Sequence, residues 1–80
     1  MAEHGIPHVL VIGTGSIGER HTRCFLETGR CEVSICEINA ELRSEVASRY
    51  AVSAAHADLD AALSDQPDRP DTAVICTPAH

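Results

Sequence analysis

Aromatic residues are almost missing from this chain of 80 residues: Trp is absent, and Phe25 and Tyr50 stand alone. A core must therefore be assembled from Ala, Val, Ile, Leu and Cys, small or branched side chains that suit a parallel sheet covered by helices. Positive charge is scarce too, with 6 basic against 12 acidic residues and a formal net charge of −6. That balance leaves no basic patch of the kind that non-specific nucleic-acid or anionic-membrane binding requires. No apolar run approaches the roughly 20 residues of a membrane span. The opening Met-Ala-Glu-His-Gly also lacks the basic head and apolar stretch of a secretory signal, so a cytoplasmic location is expected. The length allows one small domain or a piece of one.

Cysteine is present at Cys24, Cys31, Cys36 and Cys76, but no Cys-x-x-Cys pair occurs. Cys24, Cys36 and Cys76 fall at apolar positions of predicted elements, where a free thiol acts as a small hydrophobe. Neither a disulfide framework nor a metal site is expected. His4 and His8 have the spacing of a helical metal pair, yet Gly5 and Pro7 exclude a helix there and predict two solvent-side histidines.

What the chain does contain is concentrated near its start. The apolar run His8-Val-Leu-Val-Ile feeds directly into Gly13-Thr14-Gly15-Ser16-Ile17-Gly18, a strand turning into a helix through a G-x-G-x-x-G motif. Gly13 suits the sharp turn, Gly15 the close approach of a pyrophosphate, and Gly18 tight packing of helix on strand. The helix from about Ser16 points its free N–H groups and positive dipole end at the same spot. An ordinary tight loop is the alternative meaning of a glycine triplet, and here the context decides. A second strand, about Glu32 to Cys36, ends in the acid Glu37, placed to accept hydrogen bonds from the ribose hydroxyls of an adenosine. A carboxylate there disfavours a 2′-phosphate, and neither Ile38 nor Asn39 offers an arginine to receive one. NAD is therefore expected over NADP, although Arg43, one turn into the next helix, is within conceivable reach.

The remaining elements follow in alternation. The first helix is predicted over Ser16–Thr28, with Ile17, His21, Cys24, Phe25 and Thr28 forming the face toward the sheet and Gly29 the stop. On this pattern His21 is a buried histidine near the cofactor rather than a base, while Arg20 and Arg23 look outward. Asn39 caps a second helix, Ala40 to about Tyr50, whose Leu42, Val46 and Tyr50 share a face. Ala51 to Ala54 is a weakly signalled third strand, with His56 in the loop beyond it. Asp58 caps a brief helix packing through Leu59, Ala62 and Leu63. Pro67 and Pro70 mark an exposed connection, and Thr72–Cys76 is a fourth strand leading to Thr77, Pro78 and His80 on the ligand side. The fold class is α/β, a doubly wound parallel sheet in the order 3-2-1-4, half of a Rossmann arrangement.

Val9-Leu-Val-Ile-Gly-Thr-Gly-Ser-Ile-Gly18 followed by Glu19-Arg-His21, the acid after the second strand, and Val74-Ile-Cys-Thr-Pro78 together resemble the N-terminal part of the glucose-fructose oxidoreductase / inositol dehydrogenase (Gfo/Idh/MocA) family. The resemblance covers nearly the whole chain. It implies an NAD(P)-dependent oxidoreductase acting on sugars, cyclitols or related polyols, with a C-terminal mixed-sheet domain that forms the substrate site and the oligomer contact. The family's Glu-Lys-Pro segment and its later Asp/His region, which supply proton transfer, do not lie within these residues. No catalytic residue is therefore expected here, and His80 does not inherit the family's histidine role. The expected cofactor contacts are Gly13, Thr14, Gly15, Ser16, Ile17, Gly18, Glu37, Thr77 and Pro78. Two other readings compete: a non-catalytic module that senses NAD, and an S-adenosylmethionine-dependent methyltransferase. The latter fits poorly, because Val11 and Ile12 stand where such proteins place an acid before the glycines.

Overall fold

A computed structural model describes residues 6–64 and 70–77. Strands β1 (His8–Ile12), β2 (Glu32–Cys36), β3 (Ala54–His56) and β4 (Thr72–Ile75) alternate with helices α1 (Ser16–Thr28), α2 (Ala40–Arg49) and α3 (Leu59–Ser64). The strands form one parallel sheet in the order β3-β2-β1-β4, as the motif order predicts. Central β1 pairs Val9 with Val33 and Val11 with Ile35 on one side, and Val9 with Thr72 and Val11 with Val74 on the other.

Period-two alternation divides the core between the two faces of the sheet. Val9, Val11, Val33 and Ile35 point to one face, where Val46 of α2 completes a buried cluster flanked by Phe25, Leu26, Leu42 and Tyr50. Leu10 and Cys36 point to the other, against Ala62 of α3. Each fully buried branched side chain contributes about 1.5–3 kcal/mol relative to exposure, so the first cluster supplies most of the hydrophobic stabilisation.

Several sequence expectations are corrected. Gly18 and Thr22 are the buried residues of α1, with Phe25 and Leu26 packed at the core margin. Ile17, His21, Cys24 and Thr28 are exposed. Counting apolar side chains puts the face one position off, because the point of closest approach, where Gly18 meets the turn, sets the rotation of the helix. Thr22 satisfies its buried hydroxyl on the Gly18 carbonyl at 2.8 Å. His8 is not solvent-side: it is 8 % exposed, on the α3 face of β1, with Nε2 2.8 Å from Ser34 Oγ. The third strand starts three residues later than expected, pairing Ala54–His56 with Ser34–Cys36, so His56 belongs to a strand. Its alanines carry no periodic signal, and pairing with β2 alone fixes its place. In α3, Ala62 is buried while Leu59 and Leu63 remain about half exposed. The α2 expectation is met, with the Asn39 side chain accepting from the Leu42 N–H. Asp58 likewise caps α3 through the Ala61 N–H. His4, Pro67, Pro78 and His80 lie outside the described residues.

Candidate functional site

All four strands are parallel, so their carboxyl ends and the amino ends of the helices meet on one edge. A cleft of about 800 Å³ opens there. Its base is formed by Ile12, Cys36 and Cys76 at the strand ends. The glycine loop and the start of α1 line it with Gly13, Gly15, Ser16 and Ile17, the segment after β2 and the first turn of α2 with Glu37, Ile38 and Leu42, and the end of β4 with Thr77.

The three glycines of the loop have separable reasons. Gly13 has φ +89°, and a Cβ there would lie 2.8 Å from Thr77 Cγ2 and 3.0 Å from Thr77 N. Backbone conformation and the β4 neighbour both demand glycine. A Cβ on Gly18 would fall 1.8 Å from the Gly13 carbonyl oxygen, so α1 could not close on the turn with any side chain there. Gly15 is different. Its backbone is extended, at φ −66° and ψ −165°, and nothing lies within 4 Å of a Cβ built on it. Neither strain nor packing requires a glycine at this position, and the space its side chain would fill belongs to the cleft. Gly15 is also the N-cap of α1, and no side chain caps that helix. The first-turn N–H groups thus remain available to an acceptor in the cleft.

The Glu37 carboxylate is bonded directly to the loop. Its Oε1 accepts from the Thr14 N–H at 2.7 Å and from the Thr14 hydroxyl at 3.1 Å. Its Oε2 accepts from the Asn39 N–H at 3.0 Å. Burial pushes the carboxyl pKa up, but the hydrogen bonds from Thr14 and Asn39, helped by the Arg43 charge, outweigh it and hold the group below its ordinary value. The carboxylate is therefore ionised at neutral pH. Arg43 donates from Nη1 to the Glu37 carbonyl at 2.8 Å, which ties its guanidinium to the base of the rim. Cys36 carries the opposite shift: burial, reinforced by the charges of Asp58 and Glu37, pushes its thiol pKa up.

Of the residues expected to contact a cofactor, Gly13, Gly15, Ser16, Ile17, Glu37 and Thr77 line the cleft. Thr14 and Gly18 stand behind its wall, both buried, and Pro78 lies outside the described residues. Ile12, Cys36, Ile38, Leu42 and Cys76 were not singled out, and they give the cleft its apolar lining. Ile38 is the most informative of them: at 83 % exposed it is a large aliphatic residue with no core role. Its position directly after the acid is the signal that could have marked it. His21, on the exposed side of α1, is not part of the cleft lining. Among the described residues, no group of three or more His, Cys, Asp or Glu side chains is arranged to hold a metal ion. No helix among them is long and apolar enough to cross a membrane.

Comparison with known proteins agrees with this geometry. Residues 7–80 match the Gfo/Idh/MocA oxidoreductase family over its NAD-binding Rossmann fold. The crystal structure of the WlbA dehydrogenase from Chromobacterium violaceum, in complex with NADH and UDP-GlcNAcA, has the same fold, with a TM-score of 0.79 at 21% sequence identity. The alignment covers 92% of this chain and 21% of that one, so the chain spans about a fifth of the length of that dehydrogenase. A search of curated proteins finds no match. With the family matched over almost its entire length, the chain belongs to the Gfo/Idh/MocA oxidoreductases, as their NAD-binding Rossmann fold.

Proposed function

We propose that the chain is the nucleotide-binding portion of an NAD-dependent dehydrogenase whose substrate is a sugar, polyol or cyclitol. The observation that carries this reading is Gly15, which neither backbone strain nor packing requires and whose missing side chain leaves the cleft open at the amino end of α1. In this reading the Ser16 and Ile17 N–H groups donate to the pyrophosphate, the Glu37 carboxylate accepts from the adenosine ribose, and Ile38 with Leu42 gives the adenine an apolar support. Thr77, with Pro78 after it, borders the nicotinamide. Gly13 and Gly18 shape the loop without needing to touch the ligand.

The ionised Glu37 favours NAD over NADP. A 2′-phosphate placed a few ångströms from this carboxylate would be repelled by a few kcal/mol at the effective dielectric of a protein surface. When bound, the nicotinamide supplies hydride acceptance or donation at a carbinol carbon. The residues of this chain bind and orient it, and proton transfer falls to the family's Glu-Lys-Pro segment, which follows a fifth strand of the same sheet, and to a later Asp/His region. A sugar-derived substrate is consistent with the UDP-GlcNAcA held by the WlbA dehydrogenase. Assembly into a homo-oligomer through the C-terminal domain, in the cytoplasm, completes the reading.

The test is a titration with NAD and NADP. Wild-type protein is expected to bind NAD in preference to NADP, and Gly15→Val to lose NAD binding because its side chain occupies the pyrophosphate position. Wild-type affinity in Gly15→Val would refute the loop assignment. Glu37→Ser is expected to relax the NAD/NADP ratio of kcat/KM toward NADP, and an unchanged ratio would remove Glu37 from the ribose role.

A further inference from the structure

Thr14 is the one residue of the glycine loop with a polar side chain and no access to solvent, at 0% exposure. Both of its donors go to a single oxygen, Glu37 Oε1, at 2.7 Å from N and 3.1 Å from the hydroxyl. Oε2 receives one donor, the Asn39 N–H. A carboxylate has about four acceptor positions, two on each oxygen. Thr14 thus fills Oε1, while Oε2 keeps the free capacity for a ribose hydroxyl. The main chain of Glu37 is held as well: its N–H donates to the His56 carbonyl at 2.9 Å, and its carbonyl accepts from Arg43. With the backbone anchored on both sides, rotation of the carboxylate is the freedom that remains, and Thr14 on Oε1 together with the Asn39 N–H on Oε2 removes it.

We propose that Thr14 is a positioning residue that couples the phosphate loop to the ribose-binding acid, turning Glu37 so that Oε2 rather than Oε1 meets the ribose and fixing that oxygen relative to Gly15 and the start of α1. This rests on the NAD-binding reading above and deepens it. Thr14 itself does not touch the nucleotide. The two ends of the adenosine half are recognised by one rigid unit, because the residue between two loop glycines is bonded to the carboxylate 23 positions later. Two neutral donors on one oxygen also stabilise the charged form, so the same contact sets how far the pH can fall before the acid is lost.

The titratable or charged groups around Glu37 are Arg43 of α2, the adjoining Cys36 thiol, His56 of β3 and Asp58 ahead of α3. Asp58 is the one other carboxylate among them, so the test carries a Glu37→Gln background to separate its contribution. The experiment measures NAD and NADP affinities of the intact protein as a function of pH for wild type, Thr14→Val, Thr14→Ser, Glu37→Gln and the Thr14→Val/Glu37→Gln double variant. Valine replaces the hydroxyl by a methyl of similar size and leaves the N–H bond in place. It is expected to weaken NAD binding about tenfold, the usual effect of losing one hydrogen bond to a charged group. NADP affinity is expected to stay nearly constant, and the acid limb of NAD binding to move to higher pH. Thr14→Ser, which keeps the hydroxyl, is expected to retain the wild-type NAD affinity and acid limb. In the Glu37→Gln background, where the amide oxygen still accepts but no carboxylate titrates, the shift of the acid limb by Thr14→Val is expected to disappear.

Equal losses of NAD and NADP affinity, an unmoved acid limb, or an acid-limb shift by Thr14→Val that persists in the Glu37→Gln background would each overturn the coupling and make Thr14 a loop residue only. Should Thr14→Val not fold, Thr14→Ala enters the same cycle with the same criteria. Failure of the underlying reading looks different: wild-type protein would not bind NAD, or Gly15→Val would bind it unimpaired.

Discussion

Gly15 and Gly18 are two steps of one motif, and their substitution by alanine is expected to have opposite consequences. At Gly18 the added Cβ would sit 1.8 Å from the Gly13 carbonyl oxygen, far inside contact distance, and the clashing atom is backbone. Gly13 cannot yield easily, because its φ of +89° and its packing against Thr77 already fix it. Relief requires moving α1 or the turn by about an ångström, and overpacking of this kind costs about 1–3 kcal/mol or more. At Gly15 the Cβ enters open space from a backbone conformation that alanine adopts. Two small effects then oppose each other. Alanine restricts the unfolded chain, a gain of about 0.4–1 kcal/mol, but it is a poorer N-cap than glycine by a comparable amount. The net change in stability at Gly15 is therefore within about 0.5 kcal/mol of zero.

Thermal or urea unfolding, paired with NAD titration on the same samples, reads both quantities. Gly18→Ala should lower Tm by at least about 4 °C, taking the shift per kcal/mol expected for a domain of this size. Gly15→Ala should melt within about 2–4 °C of wild type on the same scale yet bind NAD at least about tenfold more weakly, a loss of about 1.4 kcal/mol or more. If Gly15→Ala binds NAD like wild type, the open space at Gly15 is not the pyrophosphate position. If Gly18→Ala melts like wild type, the close approach of α1 to the turn is not what holds the motif together.

Other outcomes follow from the same geometry. The Glu37 pKa is depressed in the folded state, so its contribution to stability is present above the ordinary carboxylate range and is lost as pH falls through the folded pKa. Glu37→Gln should flatten stability against pH in that acid window, measured by urea unfolding, and a limb identical to wild type would show that the Thr14 and Asn39 bonds do not hold the charge. Replacing His8 by alanine leaves the buried Ser34 hydroxyl without its partner and opens a cavity in the α3 face. The expected cost is at least about 1–3 kcal/mol from the unpaired hydroxyl alone, and a loss below 0.5 kcal/mol, on the same order as an ordinary surface change, would refute it. Cys24 is exposed whereas Cys36 is buried with a raised thiol pKa, so alkylation followed by peptide mapping should label Cys24 first and Cys36 more slowly. Labelling of Cys36 ahead of Cys24 would contradict the packing of β2. Tyr50 and Arg49 at the end of α2 both bond the Glu19 carboxylate and hold its pKa down. Tyr50→Phe should raise the Glu19 pKa measured by NMR, and an unchanged value would leave that tie between α1 and α2 without effect.

Local sequence determined a good deal of this protein. The apolar run, three glycines at fixed spacing, a second branched strand and the acid after it specify a parallel unit and its ligand edge, because each requirement acts over a few residues and shows in composition. The Asn39 and Asp58 caps were legible for the same reason, since a side chain bonding an N–H three residues on depends on nothing distant. Tertiary structure decided the rest. The rotation of α1 depends on where Gly18 meets the Gly13 carbonyl, so Ile17, His21 and Cys24 turned outward although their spacing pointed in. The place of β3 depends on pairing with β2, since its alanines carry no pattern of their own. His8 is buried because Ser34, on the neighbouring strand, offers its imidazole a partner. Most of all, the sequence separates Thr14 from Glu37 by a helix and a strand, and only the folded sheet makes them one unit, because parallel strands bring all their carboxyl ends to the same edge.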